Sequence, residues 1–148
     1  MAKFLPWVTF YVLGKAHDEI RNLQLKQISE EINNVKFLGF EDGKTKSEVL
    51  SKAWILVNCS LYECLPVSFL EALSYKCAIL STVDPDGYTS KFGRFTTESD
   101  LVKNLSWILD FDRWRMLGEE GYKYVKSKHS TEVGVNNHLR IYEGLIKK

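Results

Sequence analysis

Apolar residues recur in two rhythms along this chain, and the switches between them outline its elements. Residues 8–13 are a β-branched and aromatic run that stops at Gly14, which predicts a buried parallel strand. Residues 17–31 set Ile20, Leu23, Leu25 and Ile28 among polar neighbours, with Ile32 just beyond, which predicts an amphipathic helix. Residues 35–40 make a second strand. Residues 45–52 make a short helix that Thr45 could cap. Residues 54–59 make a third strand, after which Pro66 opens an apolar helix. Residues 77–81 are a fourth strand, Asp84-Pro85-Asp86-Gly87 spells a turn, and residues 92–96 read as a short fifth strand. From residue 98 on, three helical segments follow, 98–109, 112–128 and 130–146, with Ser130 placed to cap the last.

Strands alternating with helices imply right-handed crossovers. The fold class is therefore α/β, a Rossmann-like parallel sheet with helices on both faces. No repeat, low-complexity tract or linker interrupts the pattern, so residues 1–148 read as a single domain.

Composition narrows the function more than the fold. Twenty Lys and Arg against 19 Asp and Glu give a net charge of +1, which argues against a nucleic-acid partner held by charge. The three cysteines, Cys59, Cys64 and Cys77, form neither a CxxC pair nor a disulfide ladder, so a reducing cytoplasm fits. The apolar run 4–13 is too short to span a bilayer and lacks a leader's cleavage pattern. Peripheral membrane contact stays open.

Chemistry concentrates between the third strand and the helix after it, in Ser60-Leu61-Tyr62-Glu63-Cys64-Leu65-Pro66-Val67-Ser68-Phe69-Leu70-Glu71-Ala72-Leu73. Glu71 is the only charged residue between Glu63 and Lys76. A lone carboxylate in an uncharged, half-buried helix calls for a partner, either a structural hydrogen bond or a hydroxyl-bearing ligand. The helix start also favours anions through its free N–H groups and dipole, and Val67 and Ser68 could offer theirs, while Pro66 has none. No metal site is expected. Asp84-Pro85-Asp86 reads as a turn, Asp110-Phe111-Asp112 as a helix junction, and the three histidines lack zinc-ligand spacing. No glycine-rich dinucleotide or P-loop pattern is present. Trp54 and Trp107 suit core positions, and Cys64 suits a packed small side chain.

Seven residues separate Glu63 from Glu71 across a strand–loop–helix junction. This segment resembles the E-x7-E motif of retaining glycosyltransferases of the GT-B fold, glycosyltransferase family 4 in particular. It matches at Ser60, Leu61, Tyr62, Glu63, Leu65, Pro66, Ser68, Leu70, Glu71 and Ala72. It departs at Cys64, where glycine is usual, and mildly at Leu73. Tyr11-Val12-Leu13-Gly14, Val35-Lys36-Phe37-Leu38-Gly39-Phe40, Ala78-Ile79-Leu80-Ser81-Thr82 and the late Trp114, Leu117-Gly118, Gly121, Tyr124-Val125 pattern extend the resemblance over most of the chain.

What the resemblance implies is the C-terminal, nucleotide-sugar-binding lobe of a GT-B enzyme. Its opening β-α unit, with the basic pair that reaches the donor's phosphates, and its acceptor lobe would lie outside this sequence. A fragment, a truncated form or one half of a split enzyme would look this way. Glu71 inherits the ribose hydroxyls and Glu63, as the catalytic-site carboxylate, the donor sugar. Cys64, Leu65, Val67 and Ser68 line the donor loop, Gly14 and Lys15 approach a phosphate, and Gly39 and Phe40 the base. The donor is a nucleotide-diphosphate sugar and no cofactor is implied. The expected activity is transfer of a sugar to an acceptor hydroxyl, in glycan, polysaccharide or glycolipid synthesis, with the isolated chain incomplete for catalysis. The alternative is a non-catalytic nucleotide-sugar-binding module that needs an acceptor-binding partner or self-associates through an exposed edge at residues 8–13. A nucleotide-sugar epimerase lobe shares the fold, but the Leu-Pro-x-Ser loop argues against it.

Overall fold

Cys77 to Ser81 is the most deeply buried stretch of the chain, every residue at 0% exposure, and the larger part of the structure is arranged around it. A computed structural model describes residues 1–15, 18–64 and 66–146. They group into two compact units, Met1–Lys52 and Ala53–Lys148. All strand pairings are parallel, as expected for crossover connections. They form a two-stranded sheet in the first unit and a three-stranded sheet in the second.

In the first unit β1 (Phe10–Leu13) pairs with β2 (Val35–Gly39) and connects to it through α1 (Glu19–Glu30). Asp18 caps α1 by accepting from the Arg21 N–H at 2.9 Å. Asn34 ties the N-terminal segment down, its Nδ2 placed against the carbonyls of Ala2, Leu5 and Val8 at 3.1, 2.9 and 2.7 Å. Helix α2 (Gly43–Lys52) ends the unit. It starts two residues before Thr45, so Thr45 lies inside the first turn and does not cap it. Leu5 is the only buried hydrophobic residue described here. Strand β1 is parallel as expected but not buried, with Tyr11 47% exposed, and the apolar residues of α1 stay largely exposed. The reason is thin layering: α1 buries none of its residues, so it lays no core over the two strands.

The second unit has the order β3 (Ile55–Asn58), β4 (Ala78–Ser81), β5 (Gly93–Phe95), with β4 central. A central parallel strand needs apolar side chains on both faces, which Ala78-Ile79-Leu80 supplies. Phe69 and Leu73 of α3 (Val67–Ser74), Tyr88 and Phe92 of α4 (Tyr88–Phe92), and Val125 of α6 (Arg113–His129) form the core with Ile79. Pro66 stands at the N-cap of α3, one residue ahead of the first turn. Helix α4 is the element the apolar pattern did not announce. Asp84 nucleates it, accepting from the N–H groups of Thr89 and Ser90 at 2.8 and 3.1 Å. That use of Asp84 gives the Asp-Pro-Asp triplet a turn and capping role, and Asp110-Phe111-Asp112 sits at the junction between α5 (Leu101–Leu109) and α6. Ser130 caps α7 (Thr131–Ile146) through the Val133 N–H.

Two glycines let α6 approach closely. A Cβ on Gly118 would sit 1.9 Å from the Lys76 carbonyl oxygen, and one on Gly121 2.3 Å from Leu73 Cδ2. The Leu-Gly-x-x-Gly spacing is thus a contact surface for α3 and the turn behind it. Trp54 is 46% exposed rather than core, and stacks on Trp114 with ring centroids 5.2 Å apart. Among the described residues no helix is long and apolar enough to cross a membrane.

Gly118→Ala should lower stability by about 1–3 kcal/mol, since backbone lies where its methyl must go. Gly134→Ala on α7 meets open space. It should raise stability by about 0.5–1 kcal/mol through helix propensity. Equilibrium urea unfolding of the two variants checks the opposite signs.

Candidate functional site

Both glutamates of the motif lie in the second unit, and each is held differently. Glu63 stands on the loop between β3 and α3 and is exposed. Its Oε1 accepts from Ser60 Oγ at 2.7 Å. Ser60 in turn is fixed by Asn58, the last residue of β3: its N–H donates to Asn58 Oδ1 at 3.0 Å, and Asn58 Nδ2 donates to Ser60 Oγ at 3.1 Å. Thr82 Oγ1 holds the Ser60 carbonyl at 2.9 Å. Ser81 Oγ donates to Asn58 Oδ1 at 3.1 Å and accepts from the Val83 N–H at 3.1 Å. The loop therefore rests on the polar C-terminal ends of two adjacent parallel strands, where open α/β sheets present ligand sites.

Glu71 lies in the middle of α3, half-buried between the buried Phe69, Ala72 and Leu73. Its backbone carbonyl accepts from Ser74 Oγ at 2.6 Å. Packing of α3 into the core fixes where its side chain starts. Val67 and Ser68 open the helix and are exposed. The Phe69 N–H donates to the Pro66 carbonyl at 2.9 Å, while Val67 and Ser68 open the helix with no side-chain cap. Leu65 lies outside the described residues. Cys64 is exposed, not packed as its size suggested.

In the first unit Gly14, Lys15 and Gly39 line a cleft of about 440 Å³ at the C-terminal ends of β1 and β2. Arg21 and Lys26 of α1 add positive charge to it, and Phe37 adds an apolar wall. Asp18 already occupies the start of α1, where an anion would otherwise be favoured. Gly39 takes φ +78°, a left-handed conformation that suits glycine and turns the chain out of the strand. Phe40 follows it at 69% exposure and does not pack in a core.

Asn58, Ser81 and Thr82 were not singled out from the sequence. The signal was present: a carboxamide and a hydroxyl that end apolar strands need hydrogen-bond partners. Among the described residues no group of three His, Cys, Asp or Glu could hold a metal ion.

The three thiols differ in setting. Burial pushes Cys77 up to about 11, while Cys59 is raised by burial and then by the charge of Glu98. A thiol reagent on the native protein should modify Cys64 fastest, Cys59 more slowly and Cys77 only on unfolding. Mass spectrometry of the timed reaction reads that order.

Comparison with known proteins identifies the family and the fold type. The family model described as Glycosyl transferases group 1 matches residues 2–106, most of the chain. AviGT4, a glycosyltransferase involved in avilamycin A biosynthesis, superposes with a TM-score of 0.51 at 14% identity over 80% of this chain. That likeness shows the GT-B type of fold, and the chain spans only 41% of that protein's length. No curated protein matches. The chain belongs to the group 1 glycosyltransferase family.

Proposed function

We propose that this chain is the donor-binding lobe of a retaining glycosyltransferase of the family 4 type. The donor is a nucleotide-diphosphate sugar, and the complete enzyme transfers its sugar to an acceptor hydroxyl in glycan, polysaccharide or glycolipid synthesis. The observation that carries the reading is the Glu63–Glu71 segment, with one carboxylate on a strand-end loop and the other on the half-buried helix that follows. A carboxylate accepts two charge-assisted hydrogen bonds, which suits the vicinal hydroxyls of ribose at Glu71 and a sugar hydroxyl at Glu63. The start of α3 at Val67 and Ser68 favours the diphosphate. Cys64 and Leu65 complete the donor loop. In the first unit the same reading gives Gly14 and Lys15 a phosphate contact and Gly39 and Phe40 the base. Cysteines outside any disulfide, Cys59, Cys64 and Cys77, support a cytoplasmic setting.

The chemistry asks for stabilisation of an oxocarbenium-like sugar and of the departing diphosphate. Glu63 would orient the sugar, and the helix start would meet charge that grows on the leaving group. A second reading, a binding module that works with an acceptor-binding partner or by self-association, is supported by exposed Tyr11 and Val12 on β1.

Calorimetric titration of UDP, GDP and ADP with their sugar conjugates tests the donor site. One base should bind saturably, and Glu71→Ala should weaken it at least about tenfold, the worth of a charge-assisted hydrogen bond. Glu63→Gln should spare the bare nucleotide and erase the gain from the sugar. Silence toward every nucleotide at millimolar concentration would sink the stand-alone donor site.

A further inference from the structure

The side-chain hydrogen bonds beneath Glu63 run outward in one direction, from Ser81 through Asn58 and Ser60. A backbone N–H can only donate, so at Val83 the bond to Ser81 Oγ, 3.1 Å long, uses a lone pair of the hydroxyl. The Ser81 proton is then free for Asn58 Oδ1 at 3.1 Å. The Ser60 N–H, also an obligate donor, lies 3.0 Å from the same oxygen. These two donors fix which end of the carboxamide is oxygen. Asn58 Nδ2 must therefore be the group facing Ser60 Oγ at 3.1 Å. Having accepted there, Ser60 gives its one proton to Glu63 Oε1 at 2.7 Å. Ser81 is fully buried and Asn58 and Ser60 are half-buried, so the chain starts in the core and ends at an exposed carboxylate. Aligned bonds of this kind reinforce one another.

We propose that Asn58 is a positioning residue. Acting through Ser60, it sets the Glu63 carboxylate in one orientation as the acceptor for a hydroxyl of the donor's sugar. It thereby governs preference for the sugar conjugate over the bare nucleotide. This rests on the donor-lobe reading above and adds to it a residue outside the glutamate motif. Asparagine suits this position, which demands an acceptor for two donors and a donor for one acceptor on the same short side chain. Aspartate has the shape but lacks the donor, and serine has one oxygen for three jobs.

Asn58→Asp tests it with almost no change in volume. The new carboxylate draws the Ser60 proton to itself, and Glu63 loses its donor. Ser60→Ala removes the same donor directly and serves if Asn58→Asp folds poorly. In titrations of the full chain, both variants should lose about tenfold in the affinity ratio of sugar conjugate to bare nucleoside diphosphate. Affinity for the bare nucleotide should hold within about twofold, which a general loss of structure would not allow. In a Glu63→Gln background Asn58→Asp should change that ratio no further. A second arm needs no ligand. Amide hydrogen exchange over residues 60–64 should speed up at least about fivefold in both variants while β4 keeps its protection. An unchanged ratio, or equal weakening of nucleotide and conjugate, overturns the proposal. So does unchanged exchange in the loop. If wild type binds no conjugate, the stand-alone donor site falls, and the exchange arm alone decides whether Asn58 positions the loop.

Discussion

Complete burial of β4 is the constraint from which the second unit follows. A parallel strand paired on both edges and covered on both faces has no access to water, so each of its side chains must be apolar or bonded. Ala78, Ile79 and Leu80 meet the first condition and Ser81 the second. Close approach is needed on one edge as well: Gly93 pairs with Ile79, and a Cβ there would lie 1.7 Å from the Ile79 carbonyl oxygen. Ser81 must find an acceptor among its neighbours, and its sheet partner Asn58 provides one. From that point the bonding rules lead outward to Ser60 and Glu63. Core packing and the geometry of the candidate site are thus one connected problem.

The first unit shows what happens without such a strand. Two strands and two helices with no buried residue give a thin layer, tied down by Asn34 Nδ2 set among three carbonyls and by the cap at Asp18. Its cleft is built from strand ends and helix surface, with Val12, Leu13, Leu25 and Phe37 as its apolar lining. Local stability tracks buried apolar area, so this unit opens at lower cost than the second.

Period and punctuation in the sequence were enough for the parallel α/β class, for β2, β3 and β4 to within a residue or two, and for the Ser130 cap. They were not enough for burial in the first unit. The run at residues 8–13 has the composition of an interior strand, yet composition reports what a strand can tolerate and not what covers it. Helix α4 escaped because a side chain starts it: Asp84 caps it from five residues away, and Tyr88-Thr89-Ser90-Lys91-Phe92 has poor helix propensity by itself. Glu63 and Glu71 stood out because charge is conspicuous in an uncharged stretch. Asn58, Ser81 and Thr82 did not, because single polar residues at strand ends are common and their bonding is visible only once β3 and β4 are side by side.

The two glutamates are carried by supports that respond to change in different ways. Glu71 is placed by apolar packing, through the buried Phe69, Ala72 and Leu73 around it. Packing is distributed over many small contacts, so loss of one methylene shifts α3 slightly and is shared among neighbours. Glu63 is placed by a short series of directed bonds, in which each group has one correct state. Such a series has no partial failure: a missing proton at one point redirects all those beyond it. Under the proposed donor-lobe reading, a site that holds a nucleotide and discriminates among sugars would gain from this division. On that reading the robust support would carry the nucleotide, and the sensitive support the sugar on which selection acts.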